Sequence, residues 1–191
     1  MNTHLTGLHP FFSLKNIPIL PGAMISIFVF TFFHYWWHRL RHRSHFVWRT
    51  FHQIHHSPAR VELLTNYYSH LTDFLANFAL FNFVCVFLLE LSIPQLICAN
   101  ILDGAINAFA HANVNTPRWL GYFIIRPAQH RLHHQQNLHY YNFGMIPIWD
   151  LLFGTFKNPL KHEAPCGFSL TQEFQLKEML LFKEIGAQRK I

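Results

Sequence analysis

Charge is scarce in this chain: Asp, Glu, Lys and Arg make up 13% of its 191 residues, about half the roughly 25% usual in soluble globular proteins. That excludes an ordinary cytosolic domain and a disordered chain alike. Cysteine is nearly absent, and Cys85, Cys98 and Cys166 form no C-x-x-C pair, which argues against a disulfide scaffold, a zinc ribbon and a thiolate-held iron–sulfur cluster. No G-x-G-x-x-G, P-loop or haem-attachment C-x-x-C-H motif occurs, so any electrons the chain uses come from outside it. Acidic residues are few, nine against 15 Lys and Arg, for a net charge of +6. With 51% hydrophobic residues, the anionic partner this charge suits is a lipid headgroup surface, and no nucleic acid is expected. No signal-peptide cleavage site is apparent before or behind the first apolar run, which is expected to remain as an anchor.

What is abundant is apolar bulk and histidine: 21 Phe and 16 His in a length that suits one domain. Residues 17–37 contain no Lys, Arg, Asp or Glu, enough to cross a bilayer at 1.5 Å per residue. The Tyr35-Trp36-Trp37 belt and then Arg39, Arg41 and Arg43 mark the end of that span. From Val61 to Pro117 there is again no Lys or Arg, and Ser92-Ile93-Pro94 splits this region into spans at 71–91 and 93–110, a hairpin with Glu90 near the far interface. Under this topology 14 of the 15 Lys and Arg lie on one side, which predicts that the N-terminus is outside, that the C-terminus is in the cytosol, and that the basic end faces the cytosol. The expected organisation is an N-terminal segment at 1–16, one membrane-embedded domain at 17–157, and a cytosolic tail at 158–191 that carries an amphipathic surface helix around 170–185.

Ten histidines fall at ordered spacings on the basic side. His38 and His42 are one helical turn apart. His52, His55 and His56 form an H-x-x-H-H box whose i, i+3 and i+4 positions share a helical surface, so three imidazoles can converge on metal. His130, His133 and His134 repeat that box, and His70 and His111 bracket the hairpin. Two metals with four or five ligands each account for this number, and imidazole suits iron, zinc, copper and nickel rather than magnesium or calcium. His4, His9, His45, His139 and His162 are expected to be solvated or terminal, and His34 to be interfacial or to support a ligand. The hairpin helices carry polar stripes, His70-Asp73-Asn77 and Asn100-Asp103-Asn107-His111, read either as helix–helix hydrogen bonding or as support beneath the metals.

The boxes resemble those of the fatty acid hydroxylase (sterol desaturase-like) superfamily of membrane di-iron enzymes. The resemblance lies in Tyr35 to His42, Phe51 to Ser57, Phe109 to Asn113, Pro127 to His134, and the C-terminal Asn142-Phe143-Gly144, Trp149-Asp150 and Phe153-Gly154-Thr155. Thr31 stands where an Asp is common, Asn107 where some members have a further His, and the chain is short for the family. Gly144 and Gly154 read as turn glycines, and Asp150 as a cap or as a partner for a ligating imidazole's N–H.

The resemblance implies an all-α membrane bundle with a cytosolic His-rich cap around a dimetal site. It implies two iron ions, replaceable by zinc, and O2 as co-substrate. The activity would be hydroxylation or desaturation of a sterol, fatty acid or related lipid. Catalytic roles fall on His38, His42, His52, His55, His56, His130, His133 and His134, with His70 and His111 as further metal ligands. Electrons would come from a cytochrome b5-like protein or a ferredoxin with its reductase, and the bacterial inner membrane is expected rather than the endoplasmic reticulum. Two rival readings stay open: a non-catalytic metal-binding membrane protein, and an inactive family member acting as a scaffold.

Overall fold

The computed structural model describes residues 11–185; their regular elements are all helices, joined by irregular loops, with no strand among the described residues. His4 and His9 lie outside the described residues. Among the described residues, three helices are long and apolar enough to cross a membrane: Ile19–Arg43, Leu71–Leu88 and Ile93–Ala110. The third coincides with its expected span. The second stops earlier than expected, since Glu90 turns the chain with a left-handed φ of 44°. The first runs on past the apolar stretch to Arg43 and so carries His38 and His42 as part of one continuous helix.

Local chemistry sets these boundaries. The third helix starts at Ser92, whose backbone N–H donates to the Gln95 side chain at 2.8 Å, with Pro94 in the first turn where its missing N–H costs nothing. The second starts at His70, whose ring Nδ1 accepts from Thr72 N at 3.1 Å. Ala23, Ile27 and Phe30 of the first helix pack against Phe81, Val84 and Cys85 of the second and Ala99 of the third. Buried Gln95 lies against Gly22, where any Cβ would collide with it, and donates to the carbonyls of Leu14 and Ile17 at 2.7 Å each. At this same end Lys15 pairs with Glu90 at 2.6 Å.

The opposite end carries the remaining elements. Residues 45–56 form a helix whose middle, Trp48–His52, is π-helical. An inserted residue of this kind changes the direction of the side chains that follow, and such bulges frequently mark functional sites. Short helices Pro127–His133 and Ile148–Leu152 complete the cap. Arg126 braces it from a fully buried position, donating to Thr116 O at 2.6 Å and to Asn158 Oδ1 at 2.7 Å.

The tail departs from the expected surface helix. It breaks into Leu170–Glu173 and Leu176–Leu180. Met179 is fully buried with Trp48, Ile54 and Phe168, and Gln53 donates to Lys183 O at 2.9 Å. The tail is therefore packed onto the back of the helix that carries the first H-x-x-H-H box.

Candidate metal centre

Two groups of buried imidazoles sit side by side in the cap, and within each the donor atoms lie within 4.8 Å of one another. One comprises His38, His42, His52, His56 and His133; the other comprises His55, His111, His130 and His134. The groups adjoin through His56 and His134, whose rings stack at 4.1 Å. Nine of the ten residues singled out in the sequence are thus brought together.

Each H-x-x-H-H box is divided between the groups, which corrects the expectation that its three rings converge on one point. His52 and His56 enter the first group and His55 the second, while His130 and His134 enter the second and His133 the first. Helix geometry explains the division. At about 100° per residue, position i+4 returns to within about 40° of position i, whereas i+3 falls about 100° from i+4. The i, i+4 pair therefore aims one way and the middle His another.

The ring nitrogens fit a metal. His38 Nδ1 donates to Phe143 O and His133 Nδ1 to Tyr141 O, both at 2.8 Å, and His111 Nδ1 donates to Asn107 O at 2.9 Å. A carbonyl can only accept, so these bonds place the proton on Nδ1 and leave a lone pair on Nε2. The Nε2 atoms of His38, His52, His56 and His133 are buried without a hydrogen-bond partner. In the second group His130 Nε2 lies 3.0 Å from His111 Nε2 and 3.1 Å from His134 Nε2. Buried donors and acceptors left unmade are costly, and carbonyl-fixed imidazoles facing one another are the arrangement in which metal-ligating histidines are found.

The C-terminal signature residues supply those carbonyls. Asp150 accepts from the backbone N–H of Phe143 and Gly144, both at 2.8 Å, and from Thr155 Oγ1 at 2.6 Å. It thus holds the loop that orients His38 and meets no imidazole itself. Gly144 has no room for a side chain, since a Cβ there would lie 2.7 Å from Asp150 Oδ2. Asn142, at φ 59°, donates to Gln129 O at 3.0 Å and so fastens the same loop to the second box.

Other placements differ from expectation. His70 stands apart from both groups: its Nδ1 caps the second long helix, and its ring lies 4.7 Å from Phe182 of the tail. Arg41, read as part of a basic belt, is buried and donates to Asp73 Oδ1 at 2.7 Å, with Asp73 Oδ2 3.5 Å from His52 Nδ1. Tyr35 leaves the aromatic belt for the interior, 3.0 Å from Thr155 Oγ1. His139, read as solvated, is buried against His42, His56 and Trp48. Its one sequence signal is its place between the second box and Asn142-Phe143-Gly144. His34 lies beside His38 and Arg41 on the wall of the adjoining cavity. His45, paired with Glu184, and His162, near Gln135, lie outside both groups.

Burial lowers the pKa of His133 to about 3 and those of His111 and His139 to about 4. Burial, then the charge of neighbouring groups, takes His52, His55, His56, His130 and His134 well below their ordinary value. The rings are neutral at neutral pH, the state in which imidazole ligates. In the metal-free protein the unfolded chain takes up protons near the ordinary value of 6.5, while the folded chain resists until its lower pKa values. Stability from these groups is therefore complete above pH 6.5 and lost as the pH falls toward 4, because the unfolded chain binds the protons that the folded one refuses. Thermal melts of metal-free protein should show a midpoint that levels off above pH 6.5 and drops steeply below it; a flat profile contradicts the account.

An all-helical bundle with three membrane-length apolar helices and two groups of converging imidazoles at one end defines a membrane protein with a histidine-built site able to hold metal. The chain belongs to the fatty acid hydroxylase family, whose model matches residues 23–155. It is similar to an ornithine lipid hydroxylase of Rhizobium tropici, 30% identical over 79% of this chain and 46% of that protein. It is also similar to human alkylglycerol monooxygenase, 27% identical over 76% of this chain and 33% of that protein. A very-long-chain aldehyde decarbonylase of Oryza sativa subsp. indica is 29% identical over 65% of this chain and 21% of its own length. The chain thus spans less than half the length of these relatives. No solved structure matches it.

Proposed function

We propose that the chain is a membrane di-iron oxygenase that hydroxylates or desaturates a lipid with O2 and electrons from an external donor such as a cytochrome b5-like protein or a ferredoxin with its reductase. The observation that carries this reading is the junction of the imidazole groups with a cavity of about 360 Å³ between the long helices. His38, His52, His55, His111 and His130 form one end of it, and Phe30, Phe74, Phe78 and Phe81 line its walls. Phe83, on the same helix as Phe81, lies outside this wall and packs against Phe33 and Phe87. A lipid chain can therefore lie against the lining phenylalanines with one carbon at the imidazoles, in a cavity that also carries polar groups such as Asn77, Asn100 and Asp103.

His38, His42, His52, His56 and His133 would hold one iron, and His55, His111, His130 and His134 the other; zinc could replace either. Bound iron supplies O2 activation and C–H oxidation. The protein's own share is to keep the imidazoles neutral and aimed, through the Phe143 and Tyr141 carbonyls, and to present one carbon of the chain. The names of the relatives, an ornithine lipid hydroxylase and an alkylglycerol monooxygenase, support a lipid substrate. The test is metal content and Mössbauer spectroscopy of anaerobically purified protein, with lipid analysis of cells with and without it. Iron and an oxidised lipid species are expected; protein free of iron in cells whose lipids are unchanged overturns the reading.

The cap is proposed to face the cytosol, because the described Lys and Arg other than Lys15 lie on its side. Single cysteines at Leu64, exposed in the cap, and at Phe12, exposed at the other end, read this out. An impermeant thiol reagent added outside intact cells should label the second and not the first; the reverse pattern contradicts the orientation.

A further inference from the structure

The wall of the cavity below the imidazoles contains groups that metal binding leaves unused. The second and third long helices both pack on the first and leave a cleft between them, edged by Phe74 and Phe78 on one side and by Asn100, Asp103 and Gly104 on the other. Phe78 is 68% exposed, and a Cβ on Gly104 would meet nothing within 4 Å, so the cleft is open beside them.

Asp103 is the anomaly in this wall. Its Oδ1 is buried and has no hydrogen-bond partner, although a carboxyl group in an apolar span is among the costliest groups to leave unpaired. No resident cation answers it. Neither Lys nor Arg occurs between Val61 and Pro117, and Arg41, the one Arg or Lys among the lining residues, is engaged by Asp73 at 2.7 Å. Asn107 does not answer it either, because its amide donates to the backbone carbonyl of Asp103 at 3.0 Å. Asp103 lies eight positions before His111 on one helix, roughly 12 Å along the axis at 1.5 Å per residue. An acceptor at a fixed depth below the imidazoles is a ruler for any chain that carries a matching donor.

We propose that this cleft binds a lipid whose chain bears a hydroxyl or amide N–H, and that Asp103 accepts that hydrogen bond and thereby fixes which carbon lies at the imidazoles. This rests on the lipid-oxygenase reading and deepens it: the substrate is a donor-bearing lipid, and a plain hydrocarbon chain is discriminated against.

The probes are 1-octadecanol and its methyl ether, nearly equal in apolar surface but differing in one O–H, with binding to the full chain followed by native mass spectrometry. The wild-type protein should hold the alcohol about tenfold more tightly, the size of one hydrogen bond to a carboxylate. Asp103→Leu should bind the two equally, and Asp103→Asn, whose amide oxygen still accepts, should keep part of the preference. A cooperative thermal melt like that of the wild type shows that the variants are folded. A wild type without preference, a preference that survives in Asp103→Leu, or no binding of either probe overturns the proposal. Because binding is read without turnover, the two readings fail separately. A chain that holds no iron yet keeps the Asp103-dependent preference loses only the oxygenase reading. A chain that oxidises lipid without the preference loses only this one.

Discussion

Replacing His133 with alanine is expected to strip metal from the protein and to lower lipid oxidation at least about a hundredfold, whereas His70→Ala is expected to retain its metal. His133 is fully buried, and its ring lies 4.5 Å from that of His38, 4.7 Å from His42 and 4.9 Å from His56. Its Nδ1 proton is held by Tyr141 O, which leaves Nε2 for the ion. Loss of a group that merely orients a ligand typically costs 10–100-fold in metal affinity, and loss of the ligand itself costs more. His70 follows the first box as a lone histidine, yet its ring nitrogen caps a helix. Removing it costs about 1 kcal/mol of cap energy and no metal. Metal per chain by mass spectrometry, with turnover on the same samples, separates the two. Equal metal loss in both variants would place His70 among the ligands and contradict the grouping.

The contrast between these two histidines shows what a linear pattern can carry. Box spacing is a property of one helix, so His52, His55 and His56 are recognisable from i, i+3 and i+4 alone, and the Pro94 hairpin follows from local backbone chemistry. The division of each box between two groups depends on which neighbour lies on each side, and no spacing within the box contains that. Arg41 was hidden by its neighbours Arg39 and Arg43, which resemble an interfacial belt. Yet it lies three residues after His38, on the helical face turned to the site, and its partner Asp73 is 32 positions away. His139 belongs to a loop without periodicity and is buried only because the second box and the Asn142 loop close over it. The tail reads as amphipathic because Met179 and Leu176 need cover, but that their cover is Trp48 and Ile54 is a tertiary fact.

Disrupting the Arg41–Asp73 pair is expected to damage both the fold and the site. Both side chains are almost wholly inaccessible, at 3% and 4%. Arg41→Met leaves a carboxylate, and Asp73→Asn leaves a guanidinium, uncompensated in the interior. Breaking a buried pair from one side typically costs about 3–5 kcal/mol, which for a chain of this size is a fall of roughly 10 °C in melting temperature. Replacing both by apolar residues should recover much of that loss, since no lone charge then remains.

The two singles should differ at the metal. Arg41 holds Asp73 through Oδ1 and leaves Oδ2 facing His52 Nδ1 at 3.5 Å. A carboxylate there keeps the imidazole proton on Nδ1 and frees Nε2, which is buried without a partner. Arg41 Nη1 also lies 3.2 Å from His52 Nδ1 and, if its N–H were to donate there, would drive the proton to Nε2 instead. Asp73 therefore decides which ring nitrogen is free. Asp73→Asn should weaken metal binding about 10–100-fold, and the apolar double variant should recover stability without recovering metal. Melting curves read the first effect and chelator competition the second. A double variant that regains both would show that Asp73 stabilises the fold and has no hold on His52.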